Sequence, residues 1–468
     1  MAIAPRPPAP VADPRRLASH FRSVARRRSV RSDLLKVLGW TTVAASIALF
    51  LADGGMTRFG SVGEAMTSIG ILAGLTATAL MCIMLLLAAR IPFVDRTIGH
   101  DQALALHSKL GKWTIYGLLA HGVFLITGYA LTSHINPVTQ FVQLWQDSTD
   151  FIWAIVAFVM LAVVGVSSMV VARRKYPYEF WYGIHLTTYL AIIASLPHQF
   201  SMSGLFAPGT WQRTYWIGMF LATAFALLAF RVFLPIITNL EHGLKVSRVV
   251  REGSDAVSIE MTGRNLNRLG AHGGQWMNWR FLGSRTWWHS HPFSLSASPT
   301  GRTMRVTVRN LGAGTNDLMR LKPGTRVWAE GPYGMFHDAG RSTGPLVLIG
   351  AGIGIAPIRA LLEEATFTPG HAAVILRAST PKELYLVDEV QTLCRIKGAS
   401  LTVLVGHRAG NSWVPTSHAG KRLRSLVPWV DQADVFICGP NPWMDAVLAD
   451  ARSAGVPDKQ IHDERFDW

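Results

Sequence analysis

Long apolar runs alternate with polar loops over the first half of the chain. They lie near residues 34–52, 65–89, 105–131, 151–172, 180–200 and 212–236. Each is long enough to cross a bilayer as a helix of about 20 residues. Two loops, RIPFVDR and ARRKYPYE, are basic and fall on the same side as the N-terminal arginines, which the positive-inside rule assigns to the cytoplasm. Six spans therefore return the chain to the cytoplasmic side.

The pattern changes after about residue 240. Short strand-like runs such as RTMRVTVRNL and TRVWAEG are punctuated by Gly and Pro and predict a small antiparallel β-barrel. From residue 345, apolar strands (PLVLIGAG, AAVILRAS, LTVLVG, ADVFICG) alternate with helices, which is typical of an α/β domain with a parallel sheet. The predicted domains are a disordered basic tail (1–32), a membrane all-α six-helix domain (33–238), the barrel (239–342) and the α/β domain (343–468).

Composition changes this picture little. The 468 residues are 49% hydrophobic and carry a net charge of +16, much of it between residues 15 and 36, directly before the first span. No recognition fold or set of stacking aromatics accompanies these basic residues, so nucleic-acid binding is not expected. Three cysteines without CxxC spacing indicate neither a disulfide framework nor a zinc site.

Four histidines lie inside the predicted spans. His107 and His121 are in the third span, and His185 and His198 are in the fifth. Both spans run outwards, so the histidines form two pairs at matched depths, about 20 Å apart along each helix. Buried imidazoles in a membrane need partners, and two layers of facing imidazoles suit axial ligation of two haems.

A phase difference separates the two spans. Fourteen residues return to within about 40° of one helical face, whereas the thirteen between His185 and His198 end about 140° away. A kink at Pro197 is one way to re-aim the second imidazole. His20, His100 and His134 have no matching partner and are interpreted as interfacial or loop residues.

Two motifs in the second half carry candidate cofactor chemistry. In HPFSLSASP and the following RVTVRNLGAGT, Ser294 can face a flavin ring, while Arg309 and the turn from Gly312 to Thr315 can hold a diphosphate. In LIGAGIGIAPIRALL the glycines Gly350, Gly352 and Gly354 are spaced G-x-G-x-G, which is not the G-x-G-x-x-G fingerprint. They still allow phosphate to approach a helix N-terminus with Pro357 in its first turn. A proline turn and a plain tight turn are the structural alternatives.

The spans and paired histidines resemble the ferric reductase transmembrane domain, shared by NADPH oxidases, ferric reductases and their bacterial relatives. This resemblance implies that His107 and His185 hold the inner haem and that His121 and His198 hold the outer haem. Oxidases of the animal type tend to carry a further histidine one turn beyond the outer ligand. Leu125 stands there in this chain, which weakens an inference of dedicated oxygen reduction.

The second half resembles the flavin and pyridine-nucleotide modules of the ferredoxin reductase family through HPFS, GPYG, GAGIGIAP and CGP. The resemblance implies that Arg309 and Thr315 bind the diphosphate and that Cys438 and Glu464 lie beside the nicotinamide. A terminal aromatic, either Phe466 or Trp468, is expected to cover the flavin. The other implied cofactor-binding residues are His291, Pro292, Phe293, Ser294, Gly312, Gly314, Gly439 and Pro440. Arg377 and Arg408 stand where the family grips a 2′-phosphate, which favours NADPH over NADH.

The resulting hypothesis is a multi-pass protein of the inner or plasma membrane that moves electrons from cytoplasmic NADPH through FAD and two b-type haems to an acceptor outside. Ferric iron and O2 are the first candidate acceptors, and a periplasmic protein is the alternative. From a different class, a redox-sensing channel or transporter would need midplane carboxylates, whereas Asp53, Glu64 and Glu179 lie near span edges. The oligomeric state stays open.

Overall fold

The computed structural model describes residues 13–169, 178–202, 204–284, 287–408 and 410–465. Its N-terminal half is helical and places a helix over each predicted span. The helices are α1 Pro14–Ala52, α2 Val62–Ala88, α3 Pro92–Ile98, α4 His100–Thr132, α5 Pro137–Asp147, α6 Thr149–Ser167, α7 Tyr178–Ser201, α8 Trp211–Leu228 and α9 Leu234–His242. The basic loop ARRKYPYE lies almost wholly outside the described residues.

Within the described ranges, five helical stretches are long and apolar enough to cross a membrane, judged by length and composition alone. They are α1, α2, α4, α6 and the stretch Trp211–His242, which joins α8 to α9 through a short π-helical segment. Helix α7, at the fifth predicted span, is not among them. Two histidines and several Thr and Ser residues interrupt its apolar sequence.

The N-terminal tail differs from the prediction. Residues 14–32 belong to α1, so disorder is the wrong prediction for this stretch. Leu17 and Phe21, one helical turn apart, are buried, and the Arg341 guanidinium lies 4.1 Å from the centre of the Phe21 ring. The Arg28 guanidinium donates to the Gly340 carbonyl oxygen at 3.3 Å. Composition suggested disorder, but these few residues share one helical face and pack.

The chain divides into two compact units. One contains residues 32–94 and 101–232, and the other contains residues 13–31, Asp95–His100 and the chain from Phe233 onward. The second unit thus includes a six-residue piece of the helical half.

Six strands follow α9 and form two antiparallel three-stranded sheets. The strands are β1 Lys245–Glu252, β2 Ala256–Thr262, β3 Trp276–Phe281, β4 His291–Ser294, β5 Thr303–Arg309 and β6 Val327–Tyr333. The sheet orders are β1-β2-β5 and β4-β3-β6, and isolated bridges pair Leu295 with Val306 and Lys245 with Arg326. A continuous apolar core that includes Trp279, Phe281 and Leu295 lies between the sheets.

The last part of the chain confirms the predicted β/α alternation. Its strands are β7 Leu346–Ala351, β8 Ala372–Ala378, β9 Ser400–Val405, β10 Asp434–Cys438 and β11 Ile461–Glu464, in the order β11-β10-β7-β8-β9 with parallel pairing. The helices between them are α11 Ile355–Glu364, α12 Val387–Lys397, α13 Leu423–Leu426 and α14 Asn441–Ser453, and a short helix α10, Ala313–Leu318, precedes β6. Apolar clusters on both faces bury the central strands, as expected for a parallel sheet.

Candidate functional site

The structure brings the rings of the first histidine pair close together. The ring centroids of His107 and His185 are 5.9 Å apart, with an interplanar angle of 61°. A ring nitrogen binds a metal at about 2 Å, so two imidazoles on opposite sides of one metal have centroids about 6 Å apart. The separation of these two rings therefore fits axial ligation.

Helix α2 orients both histidines of α4. Nδ1 of His107 is 2.9 Å from the Met84 carbonyl oxygen, and Nδ1 of His121 is 2.8 Å from the Gly70 carbonyl oxygen. A hydrogen bond of this kind fixes the proton on Nδ1 and leaves Nε2 available as a metal ligand. Backbone carbonyls 14 residues apart on α2 thus orient two imidazoles 14 residues apart on α4.

The α7 histidines are held differently. Nδ1 of His185 and Nδ1 of His198 are buried and have no hydrogen-bond partner among the described residues. The indole of Trp181 stacks on the His185 ring at 5.1 Å, and Pro197 lies inside the helix directly before His198. Imidazoles that are buried without a hydrogen bond are costly in an apolar setting, which a metal bond at the other nitrogen would offset.

Gly74 leaves room for the His121 imidazole. A Cβ atom at Gly74 would lie 2.4 Å from Nδ1 of His121, so any larger side chain must displace the ring. If His121 binds a haem, as the family resemblance implies, Gly74→Leu is expected to lower the haem content of the purified protein, measured by pyridine haemochrome assay. Gly122→Leu is the matched control, because a Cβ there meets nothing within 4 Å. A Gly74→Leu protein with full haem content would contradict this packing argument.

The remaining histidines of the helical half separate into two groups. His20 and His134 are exposed, as expected for loop or surface positions. His100 is buried, and its Nδ1 lies 3.1 Å from Oδ1 of the buried Asp95. The interpretation of His100 as an interfacial or loop residue is therefore wrong, because the segment before α4 packs against strands that lie far away in sequence.

The structure brings together three residues predicted to act in hydride transfer. The Ser294 hydroxyl donates to Oε1 of Glu464 at 2.5 Å, and both side chains are buried. Glu464 on β11 is the parallel-register partner of Cys438 on β10. Residues 294, 438 and 464 thus form one buried cluster where the end of β4 meets the carboxyl ends of β10 and β11 in the parallel sheet.

Cys438 is suited to packing against a bound cofactor rather than to nucleophilic chemistry. Its side chain is completely buried, and burial raises the pKa of the thiol well above its ordinary value, with the nearby Glu464 and Asp463 acting in the same direction. The thiol is therefore neutral at physiological pH. A Cβ at Gly354 would lie 2.3 Å from the Cys438 carbonyl oxygen, so glycine is needed where the loop after β7 crosses β10.

The HPFS strand presents a neutral imidazole. The rings of His291 and Phe293 stack at 5.6 Å with 5° between their planes. Burial, aided by the neighbouring His289, lowers the pKa of His291 to about 4. The buried Nε2 of His291 has no hydrogen-bond partner among the described residues. The next residue, Pro292, pairs with Asn278 on β3. An uncharged group with a free ring nitrogen suits contact with a polar cofactor.

Arg309 is already paired within the protein. Its Nε donates to Oδ2 of Asp255 at 2.8 Å, and Asp255 also accepts from the Tyr385 hydroxyl at 2.8 Å. Burial is the largest single influence on the pKa of Arg309 and would lower it, but the hydrogen bond with Asp255 and the charges of Tyr385, Asp255 and Glu383 together raise it. The Arg309 guanidinium is thus held at the end of β5, between the antiparallel strands β1 to β6 and the parallel-sheet domain that carries Tyr385.

The predicted diphosphate turn precedes helix α10. Gly312 has φ 151°, which disfavours a side chain, and Gly314 would place a Cβ 3.4 Å from the His291 ring. The Thr315 hydroxyl oxygen accepts from the Leu311 backbone N–H at 2.8 Å. This turn therefore lies beside the HPFS strand.

The glycine-rich stretch forms the predicted strand–loop–helix connection. Gly350 is the second-last residue of β7, and Gly352 adopts φ 55° in the left-handed region. Helix α11 begins at Ile355 and has Pro357 in its first turn. Gly439 and Pro440 join β10 to α14 in a second connection at the same sheet edge. Backbone amides at these helix starts can bind phosphate oxygens.

Arg377 and Arg408 lie at the ends of neighbouring strands β8 and β9. The buried Arg377 donates to the Gly406 carbonyl oxygen at 2.7 Å and to the Ser379 hydroxyl at 2.9 Å, while its Nε has no partner among the described residues. Burial lowers the pKa of Arg377, and the positive charge of Arg408 lowers it further. Two positive charges at neighbouring strand ends favour an anion beside them. Phe466 and Trp468 lie outside the described residues.

Sequence reasoning missed a carboxylate that links the flavin and nucleotide halves. Glu364, at the end of α11, accepts from the Gly273 backbone N–H at 2.7 Å, from the Ser298 hydroxyl at 3.2 Å and from the ring of His272. The hydrogen bond with Glu364 raises the pKa of His272. The partners lie 66 to 92 positions away in sequence, so no local pattern marks this contact.

Comparisons with known proteins agree with the two halves. Residues 73–196 match the family described as ferric reductase like transmembrane component, and residues 348–449 match the oxidoreductase NAD-binding domain. The first range contains His107, His121 and His185 and ends two residues before His198, and the second contains the glycine-rich loop and Cys438.

Curated relatives match the second half. "Ferredoxin--NADP reductase B" of Sorangium cellulosum is 31% identical over 37% of this chain and 77% of its own length. The ferredoxin reductase component of a 3-ketosteroid-9-alpha-monooxygenase from Rhodococcus rhodochrous is 28% identical over 48% of this chain, which spans 64% of that protein. A flavohemoprotein of Xylella fastidiosa is 28% identical over 41% of this chain, which spans 50% of that relative.

Apolar helices, the paired histidines and a β/α nucleotide fold thus occur in one polypeptide, which makes the chain a membrane protein and an oxidoreductase. The chain belongs to the ferric reductase and NADPH oxidase type of protein, in which a ferric reductase-like transmembrane domain is joined to a ferredoxin-reductase-like FAD- and NAD(P)-binding half.

Proposed function

We propose that this protein moves electrons across a membrane, from cytoplasmic NADPH through FAD and two b-type haems to an acceptor on the outside. Residues 33–238 would form a six-span two-haem domain, 239–342 an antiparallel FAD barrel and 343–468 the NADPH domain. The N-terminus and the reductase half would be cytoplasmic, in line with the arginines that precede the apolar part of α1. Ferric iron or O2 is the proposed acceptor, with a periplasmic protein as the alternative.

The observation that carries this proposal is the geometry of the inner histidine pair. Two rings on separate helices face each other at 5.9 Å, and the carbonyl of Met84 leaves Nε2 of His107 available for metal. An interfacial or purely structural histidine needs neither feature.

When bound, the cofactors supply the redox chemistry: the nicotinamide gives a hydride, the flavin converts two electrons to single ones, and the haems carry one electron each. The chain's own residues bind and orient these groups. Ser294 and Glu464 form a hydrogen-bonded pair at the flavin strands, where the carboxylate acceptor keeps the hydroxyl in one orientation. The neutral, fully buried thiol of Cys438 packs beside them.

The preference for NADPH rests on Arg377 and Arg408. We expect the double substitution of both arginines by glutamine to raise the KM for NADPH by about tenfold to a hundredfold and to leave NADH nearly unaffected, because only NADPH carries the 2′-phosphate. Steady-state flavin-dependent reduction of ferricyanide with each nucleotide measures this. Arg424→Gln is the control, because Arg424 is exposed and pairs with Asp431. Equal losses with both nucleotides would contradict the assignment.

The proposed function is tested by an anaerobic visible spectrum of the detergent-purified protein supplied with FAD, before and after NADPH. Growth of sharp reduced b-type haem bands, faster than with NADH, is the expected result. If dithionite reduces the haems but NADPH does not, the proposed electron path is overturned. Absence of haem bands in the spectrum would overturn the ligand assignment.

A further inference from the structure

The chain directly after β4 is held from two sides. Ser296 and Ser298 follow Ser294 by two and four residues in the HPFSLSASP motif. Arg305 on β5 donates from Nε to the Ser296 hydroxyl at 3.1 Å and from Nη2 to the Ser296 carbonyl oxygen at 2.9 Å. Glu363, near the end of α11, accepts from the Ser298 backbone N–H at 2.6 Å. The two serines are therefore bonded to different halves, one to a flavin strand and the other to a nucleotide-half helix.

Glu389 joins Arg305 to the nucleotide half. It lies in the first turn of α12, and its two oxygens accept from Nη1 and Nη2 of Arg305, each at 2.9 Å. Paired bonds of this kind hold a guanidinium and a carboxylate in one relative orientation. Nε of Arg359 on α11 lies 2.7 Å from Oε2 of Glu389, and Arg359 also pairs with Glu363 one turn later. The contacts therefore lead from the flavin half through α12 and α11 and back to Ser298.

These side chains form a closed ring that crosses between the two halves twice. Its members, in order, are Ser296, Arg305, Glu389, Arg359, Glu363 and Ser298. Positive and negative charges alternate around it. The side chains of Arg305, Arg359 and Glu363 are at most 9% exposed, and that of Glu389 is 36% exposed. The ring is thus balanced in charge and largely shielded from water.

Helix α11 links the ring to the glycine-rich loop. The helix begins at Ile355, directly after that loop, and its ten residues span about 15 Å. Two glycines of the flavin half pack onto its backbone. A Cβ at Gly273 would lie 2.4 Å from the Ala360 carbonyl oxygen, and one at Gly274 would lie 3.4 Å from the Pro357 carbonyl oxygen. The helix that follows the proposed phosphate loop is therefore fastened to the flavin half along its length.

We propose that Arg305 and Glu389 are positioning residues for hydride transfer, because the ring they close fixes α11 and the glycine-rich loop at one distance from the segment that carries Ser294. This inference rests on the proposed function. It assigns neither residue a contact with a cofactor. Buried ion pairs add little net stability compared with apolar packing, so a role in geometry accounts better for a ring of four charges.

Anaerobic rapid mixing of the FAD-loaded protein with a series of NADPH concentrations tests this role. In Arg305→Met we expect the limiting rate of flavin bleaching, per bound flavin, to fall by about tenfold to a hundredfold, since small misplacements have effects of this size. The half-saturating NADPH concentration should stay within about twofold of wild type, because the nucleotide loop itself is unchanged. An unchanged limiting rate would overturn the inference.

Arg248→Met is the matched control. Arg248 on β1 also pairs with a glutamate, Glu260 on β2, at 2.8 Å, but this pair lies within the flavin half. The control should bleach at the wild-type rate. A loss as large as that of Arg305→Met would show that any ion pair of this sheet affects the rate, and would also overturn the inference.

The double variant Arg305→Met/Glu389→Met separates positioning from folding. It removes both charges together, so no unpaired charge is left buried between them, and its melting temperature should recover toward wild type relative to Arg305→Met. Flavin bleaching should remain slow, because the halves are still unfastened. Recovery of both the melting temperature and the rate would show that the pair serves folding alone. The double variant also carries the test if Arg305→Met does not fold.

Hydrogen exchange of the cofactor-free protein gives a readout that does not depend on turnover. The double variant should exchange faster at Ser298 and in α12, whereas Arg248→Met should not. Unchanged exchange would overturn the inference. Failure of NADPH to bleach the wild-type flavin would instead contradict the proposed function, and the exchange result would still decide whether the ring fastens the two halves.

Discussion

Replacing His107 with leucine is expected to remove the inner haem and to stop NADPH-driven reduction of the remaining haem. His107 would hold the haem that takes electrons first from the flavin, and loss of that haem would lengthen the next transfer by roughly the 20 Å that separates the two histidines of α4. A loss of more than about a hundredfold is expected, since a misplacement of only 1 Å can cost that much. Haem content and anaerobic reduction kinetics measure the two effects.

The complementary variant is His198→Leu, which should remove only the outer haem. NADPH should still reduce the remaining haem in this protein, while transfer to an external acceptor should stop. His134→Asn is the control, because His134 is exposed and asparagine tolerates its left-handed backbone conformation. Loss of both haems from an otherwise folded His198→Leu protein would contradict the two-layer assignment.

Replacing Ser294 with alanine is expected to slow flavin reduction by NADPH by about a hundredfold, with haem content unchanged. The substitution removes the 2.5 Å hydrogen bond to Glu464, so a buried carboxylate loses one of its interactions beside the proposed flavin site. Loss of one donor that is preorganised at a reaction site typically has an effect of about this size. Stopped-flow flavin bleaching under anaerobic conditions gives the rate.

Two further variants sharpen this test. Glu464→Gln keeps an acceptor for the Ser294 hydroxyl and should retain more of the rate than Ser294→Ala. Ser284→Ala is the control, because its hydroxyl donates to the Phe281 carbonyl oxygen in a turn after β3. A Ser294→Ala rate equal to wild type would remove Ser294 from the flavin site.

Much of the architecture was predictable because its signals are local. Runs of about 20 apolar residues marked the spans, and alternation of short apolar strands with helices marked the parallel sheet. The N-terminal part of α1 was mispredicted for a local reason too. Its composition is dominated by arginine, whereas its packing depends on a few apolar residues such as Leu17 and Phe21.

The sequence by itself determined the helical and β/α organisation, since this follows from residue type and spacing along each segment, and it predicted that the four histidines form two pairs. Only the tertiary structure decided which groups meet. The carbonyls of Met84 and Gly70 that orient His107 and His121 carry no side-chain signature, and Ser294 meets Glu464 across 170 positions. His100 is buried for the same reason, because its environment is built by strands that lie far along the chain. Periodicity records which face of an element is buried, but the partner on that face is selected by the packing of the whole fold.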